Sequence, residues 1–548
     1  MRQLRILLPV LAALSCAALA VAAPLLGAYQ PQAQYCFPQA QTVDPADSPL
    51  CSVIPGDISP DPLLAGKGVG YQGLVGNVAT APASDVETPF DNFSWQTFVG
   101  LNWAGTQVQA PARVGLDGNA GPRVWEGWQR VSAIFGNATG QANCNVPAGY
   151  RYFSMGSDGK GNPVSQNEEY IQAATARPAI DVLGNYTLYE RRVNGVEAAY
   201  LAAPVKGQAS WNLNTYDGQV AFANGGGQVD FPASGPTQNG AMEIKAAWRI
   251  LDPAHHADNV KRYYAVRAVV GVAPDLIDRP AGAKPAPICA TVDLGLVAMH
   301  IIQKNVDSHN RLEPKWFWST FEHVDNAPLA TAACDITKPS KTDCTLLNQT
   351  GCPVAGLPPG APSYSYFDPR GLKAQTNFPA DGGKAFHWNP GVPYAQKYLQ
   401  GVPGSPLRFG SQITRCFQLY RLTQSLNAQW QAQLRRVGSV FANYMLIGTQ
   451  WGASLEPTNP PSGPPGVVPN YLSNTVLETY LQTFWAPGGK YSPFTTGSCI
   501  SCHSAARLVA KKGGTQDVPA NFSFLPELVT SNLIRTVPTL TANPPPKK

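Results

Sequence analysis

Apolar residues along this chain follow two kinds of pattern. In PFDNFSWQTFVGLNW (89–103), Phe90, Phe93, Phe98 and Leu101 share a helical face, and Asp91 or Asn92 stands where an N-cap is expected. In FQLYRLTQSLNAQWQAQLRRV (417–437) apolar residues recur every three or four positions, which predicts a second helix. The region between them consists of short apolar runs, and RYYAVRAVVGV (262–272), CATVDLGLVAMHIIQK (289–304) and KWFWSTFEHV (315–324) read as strands. Asn194-Gly195 and Asp217-Gly218 sit between strand-like flanks and predict hairpins. The expected fold class is α+β: a large β-rich, sandwich-like body with a small helical C-terminal module.

The same patterns divide the chain. Residues 23–88, rich in Pro, Gly, Ala and Gln, read as an irregular arm, 89–411 as the β-rich body and 412–455 as a helical segment. A Pro-rich linker at 456–472 leads to a C-terminal module at 473–548, opened by the helix-like SNTVLETYLQTF (473–484). With 51 Gly and 51 Pro among 548 residues, a long coiled coil or helical solenoid is excluded. The net charge is +5 and no basic run exceeds a pair, so no nucleic-acid partner is expected.

The first 22 residues have the parts of a secretory leader. Arg2 and Arg5 precede an apolar run, and Ala20-Val21-Ala22 offers a small-residue cleavage site. No later segment has the apolar length of a membrane span, so membrane association is not expected once the leader is removed. One of eleven cysteines lies in the leader and two lie in CISCH (499–503); an even number remains, as disulfides in an exported protein require. Cys36 with Cys51 is the favoured pair, and two of Cys334, Cys344 and Cys352 would close another short loop.

The chemistry-bearing motif is Cys499-Ile500-Ser501-Cys502-His503, the C-x-x-C-H attachment sequence of c-type haem. Two thiols at this spacing reach the two vinyl groups of one porphyrin, and the adjacent His503 lies under the iron as proximal ligand. The chain's own residue frequencies give about 0.003 chance matches. The 45 residues after His503 contain neither Met nor His, so a distal ligand must come from upstream, be a group such as Lys511 or Lys512, or be absent. Met445 is nearest in sequence and is the candidate, against the competing role of a core-filling Met. His300 and His323 end apolar runs and would face one another across a sheet, although a structural role is favoured for each. Glu322, His323 and Asp325 form an acid/base set on paper. Arg507, Lys511 and Lys512 would serve haem propionates or a docking rim.

Several blocks together resemble a family of exported bacterial mono-haem cytochrome c-like proteins: FSWQTFVGLNW (93–103), MEIKAAWRIL (242–251), GLVAMHIIQK (295–304), WFWSTFEHVDN (316–326), and CISCHSAARL with NFSFLPEL (521–528). The resemblance implies Cys499 and Cys502 as thioether sites and His503 as axial ligand, and it brings no reaction with it. The functional expectation is an exported c-type cytochrome with one covalent haem, passing single electrons to and from a periplasmic partner protein, located in the periplasm or secreted. An alternative is a haem-dependent oxygenase or peroxidase with an open distal iron site and a substrate pocket in the body. A further alternative is a haem-based redox or gas sensor. No catalytic residue is assigned.

Overall fold

A computed structural model describes residues 50–56, 83–108, 110–136, 142–156, 168–170, 172, 178–202, 212–234, 239–252, 260–277, 282, 284, 286–307, 312–334, 352, 354, 357, 363–371, 376–377, 400–401, 408–452, 467–468, 472–483, 499–509 and 518–532. The expected leader lies outside these residues, as do most of the N-terminal arm and the Pro-rich linker, together with Cys36, Cys344, Lys511 and Lys512.

The helices are α1 (Ala83–Leu101), α2 (Ala112–Gly115), α3 (Val131–Phe135), α4 (Gly195–Ala202), α5 (Tyr216–Asn224), α6 (Arg421–Arg436) and α7 (Cys499–His503). The strands are β1 (Gln129–Arg130), β2 (Arg151–Met155), β3 (Glu168–Glu169), β4 (Leu188–Val193), β5 (Met242–Leu251), β6 (Ala265–Val272), β7 (Ile288–Asp307), β8 (Leu312–His323), β9 (Leu329–Cys334), β10 (Gln400–Gly401), β11 (Arg408–Phe409), β12 (Arg415–Phe417), β13 (Tyr444–Gly452) and β14 (Val467–Val468).

Ten strands form one large curled sheet, whose main path runs β1-β4-β5-β7-β8-β13-β14, with β3 on β4, β6 on β7 and β2 on β6 off that path. The 20-residue β7 is its spine. Along one edge β7 pairs with β5 from Asp293 to Gln303. Along the other it pairs first with β6 (Ile288–Gly295) and then with β8 (Ala298–Asp307), so the sheet forks and curls. The expected sandwich is therefore not what forms. Among the described residues the other sheets have only two strands each, and helices and connecting segments cover the large sheet instead. The fold is mixed α/β with few helices.

The strand alternation in WFWSTFEH sets the two faces of the sheet. Phe317, Ser319, Phe321 and His323 point one way, and Trp316, Trp318, Thr320 and Glu322 the other. Helix α1 lies along the first face. Phe90 stacks on Trp451 with centroids 3.6 Å apart, Phe98 stacks on Phe321 at 4.1 Å, and the Ser94 hydroxyl meets those of Ser319 and Thr449 at 2.6 Å. Helix α6 closes over it, with Trp430 stacked on Trp95 at 5.7 Å and Asn427 accepting from Trp95 Nε1. Each such aromatic, wholly removed from water, contributes about 1.5–3 kcal/mol.

Several local expectations are corrected by this packing. Helix α1 begins at Ala83, and Asp91 is not its cap: buried among polar partners, it accepts from the hydroxyls of Thr423 and Thr449. Asn194 opens α4 instead of a hairpin, because its Oδ1 accepts the Glu197 N–H at 3.0 Å. Asp217-Gly218 lies in the first turn of α5, capped by Thr215. Among the described residues of 412–455, α6 and a short 3-10 turn (Val440–Asn443) are helical, and β12 and β13 lie on either side of them. Cys352 pairs with Cys416, not with Cys334 or Cys344, and Cys144 pairs with Cys289. Cys51 is disulfide-bonded, while Cys36, its expected partner, lies outside the described residues. These disulfides place the chain in an oxidising compartment, as export requires. Among the described residues no helix is long and apolar enough to cross a membrane.

Candidate functional site

The second face of the sheet carries Ile302, Trp316 and Trp318, and the C-terminal segment packs there. Ala506, Leu508, Ala520, Phe522 and Leu525 join those side chains in one apolar cluster with α3, α4 and α5. Backbone bonds from Leu508 to Val518 and from Ala520 to Ala506 tie the chain after α7 back on itself. Gln219 of α5 holds both arms, accepting from Val509 N–H and donating to the Pro526 carbonyl. Upstream, the Thr475 amide and hydroxyl both donate to Glu322, which also pairs with Arg415; all three side chains are buried.

On this support α7 puts Cys499, Cys502 and His503 on one helical face, at positions i, i+3 and i+4. The Ile500 amide donates to Gln450 Oε1 of β13 at 2.9 Å, fixing the helix to the sheet. The His503 ring lies between Trp318, with centroids 4.3 Å apart, and Phe524 at 4.8 Å. Its Nδ1 donates to the Phe522 carbonyl at 2.8 Å. That bond selects the tautomer in which Nε2 keeps its lone pair. Burial is the first cause that lowers the His503 pKa to about 4, with His300 adding to it, so the imidazole is neutral at pH 7.

Cys499 and Cys502 are free thiols, whereas Cys51, Cys144, Cys289, Cys352 and Cys416 are all bonded. Burial, then the negative charge of Glu478, pushes the Cys502 thiol up to about 11 and Cys499 well upward. Redox-active C-x-x-C pairs carry a thiol whose pKa is depressed. These two have the opposite environment, which argues against a disulfide-exchange role. Glu478 reaches all three motif residues, Lys245 reaches Cys502 and His503, and His300 reaches His503; Lys245 of β5 and His300 of β7 stand in register, and Glu478 bonds His300 Nε2 at 2.5 Å. Burial pushes the Glu478 carboxyl up, but His300, then Lys245 and the Asn474 amide, outweigh it and hold the group below its usual range.

The other candidates are dispersed. Met445 lies in β13 opposite Glu322, four residues along β8 from Trp318, a separation of about 13 Å at strand rise. His300 pairs with Thr320, so His323 points to the opposite face and the two histidines do not face one another. His323 stacks on Tyr263 at 4.1 Å, bonds the Arg262 carbonyl through Nε2 at 3.0 Å and accepts the Asp325 amide at Nδ1. Glu322 is engaged on the other face, so of the acid/base set only His323 and Asp325 meet, at 3.8 Å, with the Asp325 carboxylate paired to Arg262. Arg507 donates to the Ser504 and Ala506 carbonyls, closing the end of α7. Among the described residues no group of three or more His, Cys, Asp and Glu side chains is arranged to hold a bare metal ion. A porphyrin supplies four ligands itself, and the donor set here fits it: one imidazole with its Nε2 lone pair kept by a backbone acceptor, beside two protonated thiols.

Sequence reasoning found α7 and missed its supports. Gln450, Trp318 and the Phe522 carbonyl reach it from residues 19 to 185 positions away, at distances no local pattern encodes. The NFSFLPEL block was the one available signal. No protein-family model, curated protein or solved structure matches the chain.

Proposed function

We propose that this chain is an exported c-type cytochrome that carries one haem covalently on α7 and passes single electrons to a periplasmic partner protein. The observation that carries the reading is the state of His503: neutral, with Nδ1 committed to the Phe522 carbonyl and Nε2 left as a ligand atom, beside the two free thiols Cys499 and Cys502. When bound, haem supplies a one-electron couple whose potential depends on its axial ligands and on burial. Cys499 and Cys502 would hold the porphyrin, and His503 would set its axial field. Trp318 and Phe524 keep the imidazole ring enclosed and its orientation fixed. The leader at 1–22, the haem module at 473–548 and the likeness to exported mono-haem cytochrome c-like proteins belong to the same proposal.

One observation favours a second reading, a haem oxidoreductase. Glu478 acts electrostatically on all three motif residues and bonds His300 Nε2, which sets a carboxylate and an imidazole near them. The absorption spectrum of the reduced, c-matured protein with and without carbon monoxide decides between them. An unchanged spectrum means a firmly held sixth ligand and supports electron transfer. A carbon monoxide complex supports the oxidoreductase or sensor readings. A matured protein without covalent haem overturns all three.

A further inference from the structure

The turn that carries the Phe522 carbonyl is held in a costly backbone conformation. Asn521 has φ 50° and Phe522 φ 68°, consecutive positions in the left-handed region. That region is disfavoured for an ordinary L residue; Asn tolerates it and a bulky Phe does not. Such strain persists only where surrounding contacts over-determine it. Here those contacts are visible. The Asn521 Oδ1 accepts from Lys304 Nζ of β7 and Trp316 Nε1 of β8, each at 3.0 Å. Lys304 is itself buried and paired with Asp230. On the other side Ser523 accepts the Leu525 amide at 3.2 Å. Two adjacent strands, β7 and β8, therefore grip Asn521, the residue before Phe522. The product of the grip is a single backbone acceptor, 2.8 Å from His503 Nδ1.

We propose that Asn521 is a positioning residue for the axial histidine: clamped by Lys304 and Trp316, its side chain keeps the left-handed turn that aims the Phe522 carbonyl at His503. This rests on the haem reading above. Without the clamp the turn relaxes toward ordinary backbone and the carbonyl withdraws. The imidazole then loses its acceptor and with it part of its basicity toward iron, as partners one step removed from a metal generally tune the ligand they hold.

The test compares c-matured wild type with Asn521→Ala, Asn521→Asp and Trp316→Phe. Trp316→Phe keeps the ring and removes only the N–H donor, so it remains informative where Asn521→Ala fails to fold. The readouts are the midpoint potential and the proton resonance of His503 Nδ1–H in the reduced protein. Asn521→Ala and Trp316→Phe are expected to raise the potential and move the resonance upfield. Asn521→Asp, which keeps the acceptor and tolerates the left-handed turn, is expected to keep both at their wild-type values. Loaded Asn521→Ala and Trp316→Phe variants with wild-type potential and resonance overturn the positioning role alone. A wild type that carries no haem overturns the functional reading, and the positioning role falls with it.

Discussion

At the residue scale, position in the fold decides what each titratable group does. His503 and His323 both have pKa values lowered to about 4, burial being the first cause in each, yet only His503 has a free ring nitrogen beside thiols. His323 donates through Nε2 and accepts through Nδ1, an arrangement that requires the neutral ring. Its folded pKa lies below the unfolded value of 6.5, so the unfolded chain binds the proton first as pH falls. The contribution is complete above about pH 6.5, shrinks as pH drops toward 4, and changes no further below that. The interval corresponds to about 3 kcal/mol. Urea unfolding of the wild type at pH 7 and pH 4.5 should show this loss, and His323→Gln should show a shallower pH dependence between them. A parallel dependence in the variant would contradict the assignment. The two thiols give a second prediction: Cys499→Ala with Cys502→Ala should abolish haem that survives denaturing gel electrophoresis, while either single variant keeps one covalent link.

At the element scale, the segment before α7 is anchored by one buried carboxylate. Glu322 takes Arg415 and both donors of Thr475 in a place where all three are shielded from water. Removing Glu322 leaves a buried guanidinium without its partner, which typically costs about 3–5 kcal/mol. Glu322→Ala should therefore lower the urea midpoint sharply. Replacing the pair together, Glu322→Met with Arg415→Met, should recover part of that loss, because no charge is then stranded. Equal losses in the single and double variants would show that the pair is not what holds this segment. Strand content was legible for β6, β7 and β8, whose apolar runs are long, and α6 was legible from its periodicity. The two Gly-containing turn signals failed because a side-chain cap, Asn194 in one case and Thr215 in the other, starts a helix at each. Strand β13 was hidden inside a stretch read as helical, since its pairing with β8 is a contact made more than a hundred residues away.

At the scale of the whole molecule, the forked sheet and its long-range crosslinks hold the parts together. Cys144–Cys289 joins positions 145 apart and ties the segment before β2 to the start of β7; Cys352–Cys416 joins positions 64 apart. Loss of a native disulfide of this kind costs about 2–5 kcal/mol. Cys144→Ser with Cys289→Ser should lower the unfolding midpoint of the exported protein, and adding a thiol reductant to the wild type should do the same. An unchanged midpoint in both would mean that the sheet alone sets the stability.

The amino-acid sequence by itself determined the motif on which the proposed haem attachment rests, because two thiols and an imidazole that would serve one porphyrin must be neighbours along the chain. It also determined the long strands and α6, whose patterns are short-range. Tertiary structure alone decided that His300 and His323 face opposite ways, which cysteines pair, and that a strained turn from residues 521–523 supplies the acceptor for His503. Those outcomes depend on strand register and on which segments the curled sheet brings together. A shift of one residue in register would reverse every side chain on a strand, and no local pattern in the sequence specifies that register.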